Sequence, residues 1–411
     1  MRITNDIFDK RLKAIRDAGQ NIITRKPEMM KACMLSGLTE AGARLDIGLM
    51  WKQMMNLELD RERLIGRDPG KGATLAAMIP FDVPNFMVPF YCGTAYVAGK
   101  DVVMRFGEAT KPIGALWKKA FAETKAPAIK VDDENGGPQF GIWACEEKAV
   151  RHLILAGGTK VLKAYSKPDV LQNFDSVVMS GPTRPKAIIE KSVGSKLRLI
   201  IKTIVDSAFY SSGQLCALEK EIIPEAEIYD DVRTHLIDAV KSVDYGKPSN
   251  TVGPLGDQWV IIGLAALYDK IKENPKYKIL VGGGYDKDEG IFEPTLVEAL
   301  SGVDNDIHYF GPMIFLNGAS RDGFAPMDIA KSDTVHGGYC YAWTADVERG
   351  IAYEAELKQH YGIVRINSTI FSSFFDWPFG GWKKSFMAFR REGKEMVLHQ
   401  GMVTHAGMMV G

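Results

Sequence analysis

The sequence predicts an α/β fold in two lobes, and three observations predict it. Amphipathic helical stretches fill the first sixty residues. From about Gly70 onward, short apolar runs alternate with helical stretches. One of those runs ends in a double glycine that opens the next helix. Short apolar runs crossed over by helices are the pattern of a largely parallel sheet.

Ile7 to Ile23 and Ala41 to Leu57 carry apolar residues at i, i+3, i+4 spacing with charges between them, so both are expected to be helices, separated by a break at Arg25-Lys26-Pro27. Leu75 to Ile79, Val102 to Met104, Ile154 to Leu155 and Val177 to Met179 are expected strands. The apolar run Leu197 to Tyr210 follows. Beyond it Ile222-Ile223-Pro224 reads as a strand, Tyr229 to Val243 and Val260 to Ile271 as helices, and Tyr277 to Gly283 and Ile291 to Leu296 as strands around a glycine-rich turn. Val397 to Val410 is rich in β-formers and poor in charge, the composition of an edge strand that another subunit can pair.

Composition narrows the function classes. With 411 residues, 46% hydrophobic and 25% charged, the chain reads as a globular protein large enough for two or more domains. No run approaches the roughly 18 apolar residues of a membrane span, and the opening residues lack the apolar core of a secretory signal, so a cytoplasmic location is expected. Charge is balanced, 51 basic against 51 acidic residues, which leaves no global field for nucleic acid or anionic membrane. Five scattered cysteines without a Cys-x-x-Cys pair argue against a disulfide framework and a structural zinc site, and the seven histidines show no metal-ligand spacing.

Two local patterns carry chemistry. Ser211-Ser212-Gly213-Gln214-Leu215-Cys216 is a small, flexible approach to a single cysteine, which suits either a nucleophile near backbone amides or a buried structural thiol. Leu153-Ile154-Leu155-Ala156-Gly157-Gly158-Thr159 is a strand running into a glycine turn. Such a turn can bring backbone N–H groups to a phosphate, or can need glycine for conformation alone.

The order of motifs resembles the aldehyde dehydrogenase superfamily from about Arg67 to the C-terminus. Pro80-Phe81-Asp82-Val83-Pro84 stands where that family has proline-aromatic-asparagine-x-proline, and Val102 to Glu108 stands where it has a ribose-binding lysine and glutamate. Gly157-Gly158 matches its nucleotide turn and Ser212 to Cys216 its nucleophile motif. Phe292-Glu293-Pro294, Phe310-Gly311-Pro312, Asn367 and Pro378 to Ser385 follow in family order. The resemblance implies a Rossmann-type nucleotide-binding domain over 1–185, an α/β catalytic domain over 186–375, and a site-closing and oligomerisation segment over 376–411. It also implies a homodimer or homotetramer. Cys216 is then the nucleophile that forms a thiohemiacetal and, after hydride transfer to NAD or NADP, an acyl thioester. Asp82 is the second catalytic candidate, while Arg105, Glu108, Gly157, Gly158, His308 and Phe310 are the cofactor candidates. Glu108 on the ribose hydroxyls favours NAD, whereas Arg105 beside it could take a 2′-phosphate.

Three positions depart from that family. Asp82 replaces the oxyanion asparagine and would repel an alkoxide if ionised; Asn85 nearby is a candidate substitute amide, and a helix N-cap is the structural reading of Asp82. Val178 or Met179 replaces the glutamate that activates water, which favours transfer of the acyl group to coenzyme A, or the reverse reduction of an acyl thioester. Local likeness of Leu155 to Pro168 and of Cys216 to Lys220 to acylating members points the same way. His308 replaces a glutamate on the nicotinamide ribose, where a neutral histidine can still hydrogen-bond.

Two competing readings remain: a hydrolytic enzyme with a base such as Glu219, and a non-catalytic subunit with the same fold. Phe86, Tyr91, Phe374 and Trp377 are candidates for an apolar substrate lining. Phe386-Met387-Ala388-Phe389 either narrows the entrance or packs a core.

Overall fold

In this computed structural model residues 2–68, 73–124, 126, 128–372 and 379–403 are described. The chain opens with three helices, Asn5–Thr24, Lys26–Leu35 and Glu40–Asn56. The hydroxyls of Thr4 and Thr39 accept from the Ile7 and Gly42 amides and so start the first and third. The expected break at Arg25 is there, but the chain resumes helix at once, because Pro27 sits in a first turn where its missing N–H costs nothing. Phe8, Leu12, Ile15, Ala18 and Ile22 form the buried stripe of the first helix.

Two seven-stranded sheets follow. In order across the first lie Glu395–His399, Phe386–Glu392, Ser176–Ser180, Val150–Ala156, Thr74–Ile79, Asp101–Phe106 and Ile129–Val131. The five strands from the first half of the chain run parallel, and the two late strands are antiparallel. By sequence the parallel part reads 5-4-1-2-3, so the order reverses between Thr74–Ile79 and Val150–Ala156. That reversal opens a crevice beyond the carboxyl ends of those strands, where ligands of open α/β sheets bind.

The second sheet runs Ile363–Ile366, Tyr339–Trp343, Lys186–Ile189, Glu221–Pro224, Met313–Asn317, Thr295–Ala299 and Tyr277–Val281, parallel except for the last pair. The residues on both faces of its central strands are buried, as their near-continuous apolar runs require. The helices Leu197–Ala208, Tyr229–Lys241 and Gln258–Glu273 fall where periodicity predicts them.

Two expectations change here. Phe386 to Phe389 belongs to a strand paired with Ser176–Ser180, with Phe386 and Ala388 fully buried, so this segment packs a core and does not narrow an entrance. The expected C-terminal strand divides into Glu395–His399, at the edge of the first sheet, and Gly401–Val403, in a small sheet with Phe379–Lys383; residues 404–411 lie outside the described residues.

Candidate active site

The carboxyl ends of three parallel strands place five of the sequence candidates. Thr74–Ile79 leads to Asp82, Asp101–Phe106 to Arg105 and Glu108, and Val150–Ala156 to Gly157-Gly158. The second sheet brings the others across the crevice.

Cys216 arrives through a backbone that is held, not flexible. Ser211, Ser212 and Gly213 all have left-handed φ, at 48°, 59° and 66°. All three are buried, and Ser212 Oγ both accepts the Gly253 N–H and donates to the Gly253 carbonyl. Two consecutive non-glycine residues in this region cost roughly 1–2 kcal/mol each, which the surrounding hydrogen bonds must offset. A Cβ on Gly213 would lie 2.4 Å from the Gly311 carbonyl oxygen, so glycine is required there. The Gly311 N–H donates to the Gly213 carbonyl, and Lys220 Nζ donates to both carbonyls at 2.8 Å. The nucleophile loop and the Phe310 loop are thereby clamped together. Burial pushes the Lys220 ammonium down to about 7.

Cys216 is half-buried at a cavity of about 100 Å³ lined mostly by apolar groups, among them Leu45, Leu49, Phe86, Met87 and Phe90. Phe86 therefore lines the cavity as expected. Tyr91 does not: it is buried, with its hydroxyl on Ser180 Oγ at 3.2 Å. Phe374 and Trp377 lie outside the described residues.

Among the described residues, Asp82 is the only carboxylate lining this cavity. It is buried and accepts the Val83 N–H at 3.2 Å, and the backbone N–H and thiol of Cys216 lie close enough to favour its charged form. Burial raises its carboxyl to about 6, and these hydrogen bonds limit the rise. The Cys216 thiol is driven well above its ordinary range, first by burial and then by the Asp82 charge, with a hydrogen bond from Tyr339 opposing. Tyr339 Oη lies 3.7 Å from Cys216 Sγ.

Three sequence candidates are relocated. Asp82 is not a helix N-cap; that work at Pro84–Met87 falls to Asp46 of the third helix, which accepts the Asn85 and Phe86 amides. Asn85 offers no amide to the site, because its Nδ2 donates to Asp46 and Cys33 and its Oδ1 accepts from Trp117. Glu219 faces away from the cavity and accepts the Ser207 hydroxyl at 2.6 Å. Val178 and Met179 are buried within the first sheet, and neither carries a carboxylate.

On the cofactor side, Arg105 is buried and donates to the Asn135 and Phe106 carbonyls and to Glu108 at 2.6 Å. Glu108 remains exposed and also pairs with Lys111. A cavity of about 210 Å³ opens beside Arg105, Phe106 and Lys111. At the turn, a Cβ on Gly158 would sit 3.7 Å from His308 Nε2, so this histidine faces the glycine turn across the crevice. Its Nδ1 contacts the Asp306 carbonyl at 3.1 Å. A carbonyl can only accept, so Nδ1 carries the proton and Nε2 is left as an acceptor. Burial lowers the His308 pKa further and keeps the ring neutral. Phe310 packs edge-on against Phe81, 5.0 Å between ring centres, beside Asp82. The turn, the neutral histidine and the aromatic flank fit a dinucleotide laid across the crevice.

Sequence reasoning missed Tyr339 and Lys220. The available signals were a tyrosine pair flanking Cys340 in a buried run and a lysine entering an apolar strand, and neither implies proximity to Cys216.

A doubly wound nucleotide-type sheet facing a second parallel sheet that carries a cysteine defines a class, and sequence comparison agrees with it. Residues 14–405 match the aldehyde dehydrogenase family, and the chain belongs to it. It is 24% identical over 307 residues to the D-glyceraldehyde dehydrogenase (NADP(+)) of Picrophilus torridus, covering 71% of this chain and 59% of that one. It is 25% identical over 344 residues to the mitochondrial succinate-semialdehyde dehydrogenase of Oryza sativa, covering 82% and 63%. The chain thus spans about three fifths of the length of these relatives. Among solved structures, the NADP-dependent glyceraldehyde-3-phosphate dehydrogenase of Bacillus halodurans complexed with NADP superposes with a TM-score of 0.80 at 20% identity, covering 92% of this chain and 82% of that one. The Mycobacterium tuberculosis aldehyde dehydrogenase complexed with NAD+ gives 0.78 at 20% identity, covering 96% and 85%.

Proposed function

We propose that the chain is an NAD(P)-dependent aldehyde oxidoreductase in which Cys216 attacks an apolar aldehyde and passes the resulting acyl group to a thiol such as coenzyme A, or runs the reverse reduction. The observation that carries this reading is the cavity at Cys216. Among the described residues its lining is apolar apart from Asp82, Cys216 and Tyr339, and the strand position that would present a water-activating carboxylate holds the buried Val178 and Met179. A thioester formed there meets little to orient water and is left for a thiol.

The nicotinamide, when bound, supplies the hydride acceptor. In this reading Gly157 and Gly158 give the pyrophosphate close backbone approach, Glu108 takes the adenosine ribose hydroxyls, His308 Nε2 accepts from the nicotinamide ribose, and Phe310 flanks the ring. Glu108 on the ribose favours NAD. Arg105 is committed to Glu108 and two carbonyls, which leaves it poorly placed to take a 2′-phosphate. Residues 1–185 and 186–375 are taken as the nucleotide and catalytic domains. The edge strand Glu395–His399 supports a homodimer or homotetramer.

Hydrolysis is the second reading, favoured by one observation: Asp82 is a carboxylate that already touches Cys216, and it would then have to serve as the base for water. A cofactor-reduction assay over short, long and aromatic aldehydes, with and without coenzyme A, separates the two. Turnover is expected to depend on coenzyme A and to fall roughly 10⁴-fold or more in Cys216→Ala. Equal rates without any thiol acceptor would remove the acylating reading. A Cys216→Ala protein as active as the native one would remove the nucleophile.

A further inference from the structure

We propose that Asp82 and Tyr339 form a proton relay around Cys216, with Asp82 receiving the thiol proton and Tyr339 donating its phenolic hydrogen to the reacting sulfur and oxygen. This deepens the aldehyde reading and rests on it. The geometry begins with what is already occupied. The Cys216 backbone N–H, which would otherwise hold a substrate oxygen, interacts with the Asp82 carboxylate beside it in the same cavity, and Asn85 is committed to Asp46, Cys33 and Trp117. An oxygen gaining negative charge beside Cys216 therefore needs another donor. Tyr339 lines the same cavity, its hydroxyl is 3.7 Å from Sγ, and it stands on the buried strand Tyr339–Trp343, inside the edge strand Ile363–Ile366 of the second sheet.

The charge environment fixes the direction of proton flow. Among the described residues, groups that interact with Asp82 include Asp46 from the third helix, Tyr91 from the segment Val88–Gly93, Tyr339 from the second sheet and Cys216 itself. None of these four groups is basic. In so desolvated a site a carboxylate and a thiolate cannot both be ionised side by side, so the resting pair holds one proton on sulfur. The sulfur becomes a nucleophile as that proton leaves.

The step balances as follows. The Sγ–C bond forms while the S–H proton passes to Asp82 and the carbonyl π pair moves to oxygen, held by the Tyr339 O–H. Asp82 returns the proton to that oxygen, giving a neutral thiohemiacetal. A bound nicotinamide would accept the C–H hydride with its two electrons, while the hydroxyl proton would return to Asp82 and the C=O bond would re-form as a thioester. One proton is then lost from Asp82 to solvent. A phenol paired with a carboxyl is a known substitute for amide donors at a developing oxyanion.

The test compares native protein, Asp82→Asn and Tyr339→Phe with two readouts. The first is the rate of iodoacetamide alkylation of Cys216 at neutral pH, followed by peptide mapping, which needs no aldehyde or cofactor. Asp82→Asn removes the neighbouring charge, so alkylation is expected to accelerate about tenfold or more, since one pKa unit lost by the thiol is a factor of ten in thiolate. Tyr339→Phe removes a donor to the thiolate, so alkylation slows. The second readout is aldehyde-dependent cofactor reduction. Asp82→Asn is expected to turn over about 100-fold more slowly despite its faster alkylation, and to lose the rise in native rate with pH through about 6. Tyr339→Phe is expected to lose about 100-fold in kcat with little change in KM.

Opposite movement of the two readouts in Asp82→Asn is the signature, because a merely structural defect would lower both. Alkylation that fails to accelerate in Asp82→Asn, or an unchanged kcat in Tyr339→Phe, overturns the relay; the phenylalanine variant keeps the test open if the asparagine one does not fold. The predicted alkylation pattern in a native protein that oxidises no aldehyde would instead overturn the functional reading.

Discussion

Two buried charge clusters in this protein titrate in opposite directions. At Cys216, Asp82 meets a thiol and phenols with no cation, and burial raises its carboxyl to about 6. Beneath the neighbouring strands, Arg184 and Lys186 meet Glu221 and Asp333, with Arg184 Nε 2.9 Å from Glu221 and Lys186 Nζ 2.6 Å from Asp333. There burial also works to raise both carboxylates, yet the paired cations, with His336 and Asn317 hydrogen-bonded beside them, hold both below their ordinary range. Equal burial, then, does not set equal chemistry. A buried carboxylate with cations and satisfied hydrogen bonds is fixed as a structural anion, whereas one without them stays poised to exchange a proton near neutral pH.

The anchored cluster also has a place in the site. Arg184 donates to the Asp304 and Ile307 carbonyls and so fixes the loop that leads to His308. Its removal is the strongest way to break the contrast. Arg184→Met leaves Glu221 and Asp333 buried with Lys186 as their remaining cation, and is expected to cost about 3–5 kcal/mol of stability by urea unfolding. A loss of under 1 kcal/mol would mean that the network relaxes to solvent and that the two clusters are alike.

The next effect is in pH dependence. Asp82 has a folded pKa above its unfolded value, so the fold favours its protonated form. Its contribution is fully present below about pH 4 and is lost as pH rises through about 6. A rise of about two units corresponds to about 3 kcal/mol. Replacing it, as in Asp82→Asn, is therefore expected to flatten the loss of stability between pH 4 and 7 by about that amount. Glu221 and Asp333 act oppositely: their contribution is present above the ordinary carboxylate range and is lost as pH falls through their lowered values. Unfolding curves at several pH values for native and Asp82→Asn proteins check both signs, and an unchanged slope would show Asp82 to be solvated.

The smallest expected effect sharpens the contrast from within the anchored cluster. Asn317 Nδ2 donates to Glu221 at 2.6 Å, and Asn317→Ala leaves that oxygen short of one partner, at about 2 kcal/mol. If it costs as much as Arg184→Met, hydrogen bonding and not ion pairing holds the carboxylates down.

Much of the frame was legible without coordinates. Leu75 to Ile79, Val102 to Met104 and Val177 to Met179 are strands because β-branched and apolar side chains in short runs bury on two faces, and Gly157-Gly158 marks the turn because a Cβ at Gly157 would press within 3 Å of Val161. Cys216 stood out because its approach is unusual in sequence. That approach was read as flexible, and wrongly, because small residues suit a buried left-handed backbone as well as a loose one. Asn85 and Glu219 looked available near the site because polarity and nearness in sequence say nothing of which way a side chain points. In the fold the first faces Asp46 and the second faces Ser207.

The sequence by itself determined the two α/β lobes, the family, the cysteine and the departures at Asp82, Val178, Met179 and His308, since these are properties of local pattern and residue type. The tertiary structure decided what those departures mean. Tyr339 is 123 positions from Cys216, and Asp46 is 39 from Asn85. Only the tertiary packing that sets the third helix against Pro84–Met87, and brings Tyr339–Trp343 beside Cys216, places these groups within hydrogen-bond reach. Proton affinity depends on burial and on neighbours a few ångströms away, so Asp82 acquires its character from contacts that no local stretch of chain contains.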